Sequence, residues 1–166
     1  MIKNKTKLIV ISALLTAICA CCTAFVSVPM PGTGGYVHFG DAIIMISASI
    51  LPTPFAVFVG AIGGALADVM VGYSIWAPFT LVIKALVALC FTSKKPKIVN
   101  TRNLLALIPA LVITLAGYYL AEGIIYGNFI TPFASMIGNV IQIVASGVIF
   151  VVFGIALDKI NFKNKI

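Results

Sequence analysis

The chain has 166 residues, of which 61 % are hydrophobic and 9 % are charged, whereas a typical soluble domain carries about 25 % charged residues. A helix that crosses a bilayer needs about 20 mostly apolar residues, so six such helices use about 120 residues and leave about 46 for termini and connections. The composition predicts one all-α integral membrane domain. It excludes an appended soluble ATPase, a nucleic-acid-binding domain and a large receptor module, because no stretch of that length is polar enough.

Apolar runs predict six transmembrane helices, called spans 1 to 6. Their expected bounds are about 8–28, 42–51, 55–71, 76–92, 104–126 and 132–157. A Gly/Pro-rich loop at 29–41 separates the first two spans, and a basic loop at 93–103 follows span 4. Pro52 and Pro54 remove backbone donors and predict a tight break after span 2. Span 2 is short for a crossing helix, so we expect it to be tilted or packed behind its neighbours.

Ten of the eleven basic residues lie outside the spans, which predicts cytoplasmic termini and a cytoplasmic basic loop. They form three clusters: Lys3, Lys5 and Lys7; Lys94, Lys95, Lys97 and Arg102; and Lys159, Lys163 and Lys165. Their positions at the span ends explain the net charge of +7 without a nucleic acid, and contact with anionic lipid is a second use. The alternative is five spans, with span 1 as a signal peptide that is cleaved before Cys21.

Four charged residues remain in the spans or at their ends, namely Asp41, Asp68, Lys84 and Glu122. Such groups are costly in hydrocarbon and are expected to face the bundle interior, so they are the first candidates for a site. Lys84 is too deep to reach water, and Glu122 or Asp68 is its expected partner. Asp41 is expected to cap the start of span 2.

Asp68 follows Gly60 and Gly64 at steps of four residues. This G-x-x-x-G pattern predicts that another helix approaches that face closely. The carboxylate of Asp68 either caps or pairs locally or contacts a ligand.

Aromatic residues surround the outer ends of spans 4 and 5. Tyr118 and Tyr126 lie one turn on either side of Glu122, so the acid and the two rings share a face that could hold a polar heterocycle. An interfacial tyrosine belt with a solvated acid is the alternative. Trp76 and Tyr73 are expected either in the same belt or as the opposite wall of a pocket.

Span 6 carries a polar stripe on an otherwise apolar helix. It consists of Ser135, Asn139, Gln142 and Ser146. The stripe suits a ligand with ring nitrogens, because each amide offers a donor and an acceptor. Hydrogen bonding between helices would explain it equally well.

The outer loop is a candidate lid. Its freedom comes from Gly32, Gly34, Gly35 and Gly40, and its closing side chains are Tyr36, His38 and Phe39. His38 is expected as an exposed or capping residue, or as a ligand contact.

Span 1 carries alanines at steps of four, which form a smooth stripe. These are Ala13 and Ala17, then Ala20 and Ala24. We expect this stripe to dock a partner helix, since a small bundle without a motor needs a partner in order to do work; internal packing is the alternative.

No pattern in the chain indicates an enzyme. The sequence has no phosphate loop of the form G-x-x-x-x-G-K-[ST] and no G-x-S-x-G or H-E-x-x-H motif. The four cysteines lie in predicted spans without metal-ligand spacing, so we expect no disulfide, no metal and no cofactor bound by this chain.

The chain resembles the substrate-specific S components of energy-coupling factor (ECF) vitamin transporters, and within them the riboflavin and hydroxymethylpyrimidine group. The resemblance covers six helices with both ends inside and the long outer loop. Its motifs are Ala13-x-x-x-Ala17, the small-residue face ending in Asp68, Gly72-Tyr73, Trp76-Ala77-Pro78, Lys84 and Asn139-x-x-Gln142.

This resemblance implies a multi-pass protein of the bacterial cytoplasmic membrane that binds a vitamin or precursor from outside. It also implies that the span 1 alanines dock on a transmembrane coupling subunit attached to two ATP-binding cassette ATPases, which use the ATP. The expected substrate is a small pyrimidine or pyridine, such as hydroxymethylpyrimidine or pyridoxine, and next riboflavin. Family binding positions fall on Trp76, Lys84, Glu122, Tyr126, Asn139 and Gln142, with His38, Asp68 and Tyr73 as further candidates.

Two other function classes remain open. One is a small secondary transporter driven by an ion gradient, with Asp68, Lys84 and Glu122 as its relay, although no duplicated half is detectable. The other is a membrane scaffold subunit without a ligand, in which the polar stripe only joins helices.

Overall fold

A computed structural model describes residues 5–29 and 36–165. The elements in these ranges are α1 (Lys5–Phe25), β1 (Ser27–Pro29), β2 (Tyr36–His38), α2 (Gly40–Ile50), α3 (Thr53–Met70), α4 (Ala77–Cys90), α5 (Thr101–Leu105), α6 (Leu107–Tyr126), α7 (Pro132–Lys159) and α8 (Phe162–Lys165). The loop glycines Gly32, Gly34 and Gly35, and also Lys3, lie outside the described residues. The side chain of Tyr36 lies outside them as well.

The predicted all-helical membrane architecture is confirmed. Four helical stretches within the described ranges are long and apolar enough to cross a membrane: α1, α3, α5 with α6, and α7. The other two apolar helices, α2 and α4, are shorter. The bundle has two ends, which we call the strand end, with β1, β2 and the start of α2, and the basic end, with the connection between α4 and α5.

The start of the outer loop differs from the prediction. Helix α1 ends at Phe25 rather than at Val28, because Ser27–Pro29 pairs with Tyr36–His38 as two antiparallel strands. Helix α2 begins at Gly40. Strands of three residues are too short for an alternating pattern, so the apolar run alone reads as one continuous helix.

The basic end is held by two polar side chains. The carboxylate of Asp158 accepts hydrogen bonds from the backbone N–H groups of Ile98 (2.8 Å) and Val99 (3.0 Å). Asn103 is completely buried and donates to Ser49 Oγ (3.0 Å) and to the carbonyl of Ile98 (3.0 Å). These bonds fix the connection between α4 and α5 against α2 and α7.

Close packing between α3 and α4 confirms the prediction from the glycine pattern. A Cβ atom added at Gly60 would lie 2.8 Å from the carbonyl oxygen of Lys84, and one at Gly64 would lie 2.9 Å from Thr80 Cγ2. Only glycine allows the two backbones to approach this closely. The consequence for the site is that the glycine face sets the position of Lys84.

The alanine stripe of α1 is divided between two environments. Ala13 and Ala17 are exposed, whereas Ala20 and Ala24 are buried, with 4 % and 7 % of their surfaces accessible. The first turn of α2 covers the C-terminal half of α1, since Gly40 packs directly on Thr23. The expectation of a docking stripe is therefore wrong for Ala20 and Ala24, which are core residues, and the available surface is limited to Ala13 and Ala17.

Candidate functional site

A buried ion pair lies at the centre of the strand end. Nζ of Lys84 is 2.7 Å from Oδ1 and 2.9 Å from Oδ2 of Asp41, and neither side chain is more than 1 % exposed. The expected partners of Lys84, Glu122 and Asp68, are therefore wrong. The start of α2 packs against α4, so the carboxylate nearest to the ammonium group is that of Asp41.

The capping function expected for Asp41 is also wrong. Phe39 occupies the N-cap position of α2, and among the described residues no side-chain hydrogen bond caps that helix. Asp41 lies in the first turn of α2, and its carboxylate is used by donors from other helices. A buried ammonium group requires a paired carboxylate, and this requirement decides the orientation of Asp41.

Gln142 joins the ion pair to the strand pair. Its Nε2 donates to Oδ2 of Asp41 at 2.7 Å, and its Oε1 accepts from the backbone N–H of His38 at 3.3 Å. Gln142 is 2 % exposed, so both ends of its amide are used inside the protein. One side chain of α7 thus holds both β2 and α2.

His38 is buried, with 5 % of its surface accessible, which corrects the expectation of an exposed residue. Burial lowers the pKa of His38 from 6.5 to about 4; the neighbouring Asp41 carboxylate opposes this effect, and the Lys84 ammonium adds to it. The imidazole is therefore neutral at neutral pH.

Three aromatic rings lie beside the ion pair. The Trp76 ring centroid is 6.4 Å from that of Tyr118 and 6.2 Å from that of Tyr126. Nζ of Lys84 lies 5.1 Å from the centroid of Tyr118, whose hydroxyl is 3.3 Å from Oγ1 of Thr80. Trp76 and Tyr118 are half-buried and Tyr126 is 48 % exposed, so the group forms a partly open aromatic wall.

A second polar group joins α6 and α7 at the same end. Oγ of Ser135 donates to Oε1 of Glu122 at 2.8 Å. Glu122 is only 2 % exposed, which contradicts the alternative of a solvated acid in a tyrosine belt. Asn139 is half-buried and lies one helical turn from Ser135. Carboxylate, hydroxyl and amide together offer hydrogen-bond donors and acceptors beside the aromatic wall.

Asp68 lies in the last turn of α3, and Tyr73 lies in the connection between α3 and α4 that precedes the aromatic wall. Asp68 is 5 % exposed and Tyr73 is half-buried. The backbone N–H of Tyr73 donates to the carbonyl of Asp68 at 2.7 Å, and that of Trp76 donates to the carbonyl of Tyr73 at 2.8 Å. These bonds close the connection between α3 and α4 and orient the start of α4, where Trp76 lies.

Two buried hydroxyl groups lie one turn deeper in the bundle. Ser146 follows Gln142 by four residues on α7, and Thr114 precedes Tyr118 by four residues on α6. Both side chains are completely buried, and their oxygens have no hydrogen-bond partner within the described part of the chain. Ser146 therefore extends the polar stripe without using its hydroxyl group.

The pairing of Asp41 with Lys84 at the centre of the site was not predicted from the sequence. A usable signal was present, because Lys84 is the only base within a span and requires an acid. Asp41, Asp68 and Glu122 were all possible partners of Lys84, however, and only the contact between α2 and α4 identifies Asp41 as the actual one.

Comparison with known proteins identifies the family. Residues 3–159 match the model of the family described as "ECF-type riboflavin transporter, S component". The chain belongs to this family. The resemblance stated from the sequence motifs is thereby confirmed. The S-component fold is also found in a solved protein titled "Structure and mechanism of the S component of a bacterial ECF transporter", with a TM-score of 0.77 and 16 % identity over 95 % of this chain and 98 % of that one.

A curated relative from Pyrococcus woesei carries the description "Uncharacterized protein in gap 3'region". It is 48 % identical over 62 residues, which are 37 % of this S component. The match spans 41 % of the length of that relative.

Proposed function

We propose that this S component captures riboflavin from outside the cell and delivers it inward as part of an ECF-type importer. The observation that carries the proposal is the family match over residues 3–159. Small pyrimidines and pyridines came first in the expectations from sequence, but the description of the family moves riboflavin ahead of them.

The chemistry of the strand end supports a planar heteroaromatic ligand. The rings of Trp76, Tyr118 and Tyr126 offer faces and edges for stacking. The half-buried Asn139 amide can accept from a ring N–H and donate to a ring carbonyl or nitrogen, while the buried Glu122 carboxylate is held by Ser135 on the same side of the bundle. A flavin carries all of these groups on one flat ring system, so the aromatic wall would stack the ring while Asn139 contacts its polar edge.

The proposed topology has six spans, with the strand end outside and the basic end in the cytoplasm. Four spans are long enough by themselves, and α2 and α4 would complete the set as short, largely enclosed helices. The support comes from the basic residues, which flank the bundle at both termini and in the connection between α4 and α5.

The proposed partners are a transmembrane coupling subunit and two ATP-binding cassette ATPases, which would bind and hydrolyse the ATP. The sequence has no phosphate loop of its own. Ala13 and Ala17 supply an exposed small-residue surface on α1, on which a helix of the coupling subunit could pack closely.

A thermal-shift titration of the purified protein tests the substrate, because a ligand that binds only the folded state raises its stability. We expect riboflavin to stabilise the protein at lower concentrations than hydroxymethylpyrimidine or pyridoxine. Asn139→Ala should weaken riboflavin binding, while Val140→Ala, the neighbouring residue with 37 % exposure, should not. No stabilisation by any of the three compounds would contradict the proposal, and an unchanged Kd in Asn139→Ala would move the ligand elsewhere.

Vitamin uptake by cells tests the docking surface. Ala13→Trp and Ala17→Trp should block uptake and leave riboflavin binding intact, because a large ring prevents close helix contact. Val144→Trp places the same ring on α7 at a position that is 57 % exposed and serves as the control. Loss of binding in the α1 variants while the partner complex remains intact would contradict this assignment.

A further inference from the structure

We infer that Asp41 is a positioning residue that fastens the strand pair and the start of α2 onto α4 and α7, and that Lys84 and Gln142 serve this contact rather than the ligand. The group formed by Asp41, Lys84, Gln142 and the backbone N–H of His38 is called the latch below. Its effect on riboflavin rests on the proposed function, but its existence can be tested without any ligand.

The polar atoms of the two bundle residues are already used. Nζ of Lys84 contacts both oxygens of Asp41 and faces the ring of Tyr118. Gln142 uses its amide nitrogen for Asp41 and its amide oxygen for His38. Both residues are at most 2 % exposed, so a ligand could reach their donors only by displacing Asp41.

The latch connects two parts of the molecule. His38 and Asp41 belong to the segment that joins the strand pair to α2, whereas Lys84 and Gln142 lie in the middle of α4 and α7. Every hydrogen bond of the latch crosses from this segment to the bundle. Breaking the latch would therefore free the strand pair and the start of α2 from the bundle, while the hydrogen bonds within the helices remain.

The bundle side of the latch is rigidly placed. Gly64 leaves room for the stem of Lys84, since a Cβ atom there would lie 3.0 Å from Lys84 Cγ. Gly60 packs on the backbone of the same residue. Because α3 packs closely against the backbone and stem of Lys84, the latch opens by movement of Asp41 and not of Lys84.

A buried ion pair suits a contact that must open and close. Attraction between the charges holds the closed state, but removing both charges from water costs a comparable free energy. Once the segment lifts, water solvates both groups again. The net preference for closure is therefore much smaller than the charge attraction alone, and it can be reversed.

Cys19 provides a natural reporter of this movement. Its thiol is completely buried, and Sγ lies 3.8 Å from the carbonyl oxygen of Gly40, in the first turn of α2. Lifting the start of α2 removes the cover on this side of the thiol, while Gly63 of α3 keeps it covered on the other side. Cys90, at the far end of α4, is half-buried and reports on general loosening instead.

The first experiment measures the alkylation rate of Cys19 by N-ethylmaleimide in the ligand-free full chain, with the other three cysteines replaced by serine. We expect Asp41→Asn to raise this rate by about tenfold or more, since it removes one charge-assisted contact from a buried site. Asp158→Asn, the same substitution at the basic end, should leave the rate unchanged. A matching protein that retains only Cys90 should show equal rates with and without Asp41→Asn.

Two further variants keep the test decisive if Asp41→Asn does not fold. Gln142→Met removes the bonds to Asp41 and His38 but keeps the ion pair, so it should raise Cys19 labelling by a smaller factor. Exchanging the charges, Asp41→Lys with Lys84→Asp, should return labelling part of the way towards the wild-type rate, because it restores the ion pair. Recovery stays partial, since the Gln142 oxygen already accepts from His38 and the Gln142 amide nitrogen loses its acceptor. Cys19 labelling within about twofold of wild type in both Asp41→Asn and Gln142→Met, or an equal rise at Cys90, would overturn the latch; twofold is well below the factor expected for a buried hydrogen bond.

The second experiment follows riboflavin dissociation by stopped flow. Asp41→Asn should increase the dissociation rate, and the charge exchange should bring it part of the way back. Lys84→Met that abolishes riboflavin binding but leaves Cys19 labelling unchanged would overturn the inference, because Lys84 would then serve the ligand. If the wild-type protein binds no riboflavin, the proposed function fails, while the labelling experiment still decides the latch.

Discussion

Removing one member of the buried ion pair tests the electrostatics of the strand end. Lys84→Met keeps most of the side-chain length but leaves the Asp41 carboxylate, which is completely buried, with Gln142 Nε2 as its remaining described donor. Such an uncompensated charge costs about 3–5 kcal/mol of unfolding free energy. Asp41→Leu instead leaves the buried ammonium group of Lys84 without its carboxylate, and it should lower the unfolding free energy by a similar amount.

The double variant should be more stable than either single variant. With both charges absent, the main remaining penalty is the Gln142 amide nitrogen without its acceptor, which costs about 1–3 kcal/mol. The two costs are therefore strongly non-additive.

Titration with SDS in mixed micelles measures these unfolding free energies. Trp76 is the only tryptophan in the chain and packs on Tyr118 and Tyr126, so its fluorescence reports on this end of the bundle. A double variant that costs the sum of the single costs, within about 0.5 kcal/mol, would refute the assigned pairing.

Three further predictions concern packing, an unused hydroxyl group and pH. Gly64→Ala should lower the unfolding free energy by about 1–3 kcal/mol through overpacking, because its Cβ would lie 2.9 Å from a methyl group of α4. Gly147→Ala, whose Cβ would meet only the flexible end of a leucine, should be neutral or stabilising; equal effects in the same SDS titration would contradict the packing. Thr114→Val should be neutral or stabilising in that assay, because the buried hydroxyl has no partner in the described structure; a loss above about 1 kcal/mol would show that it is bonded. For His38, a folded-state pKa of about 4 against 6.5 in the unfolded chain means that its contribution to stability is complete above about pH 6.5 and is lost as the pH falls towards 4. The melting temperature should therefore fall less in His38→Asn than in wild type between about pH 7 and pH 4, and equal losses would contradict this assignment.

The long helices could be predicted from the sequence because their signals are local. Apolar runs predict α1, α3, α6 and α7, and Pro52 with Pro54 predicts the break before α3. The short strands could not be predicted, since their pairing is a backbone contact between separated segments. The start of span 5 was also inaccurate: Asn100 caps the separate helix α5 before α6 begins, and the apolar run conceals this break.

The site residues were identified better than their contacts. Lys84, Glu122 and Gln142 were selected because polar groups in a membrane must be satisfied, and all three have hydrogen-bond partners. The identity of each partner depends on which helices are neighbours, which no single helix encodes. Ala17 and Ala20 show the same limit, because helical periodicity gives the face of a residue but not what covers that face at each depth.

Native mass spectrometry of the protein, purified with its endogenous ligand from its own membrane, tests directly whether riboflavin is the substrate. We expect one riboflavin molecule per chain, with occupancy reduced in Asn139→Ala and retained in Val140→Ala. A chain that carries a different vitamin, or one that neither retains nor accepts riboflavin when it is added, would rule out riboflavin as the substrate.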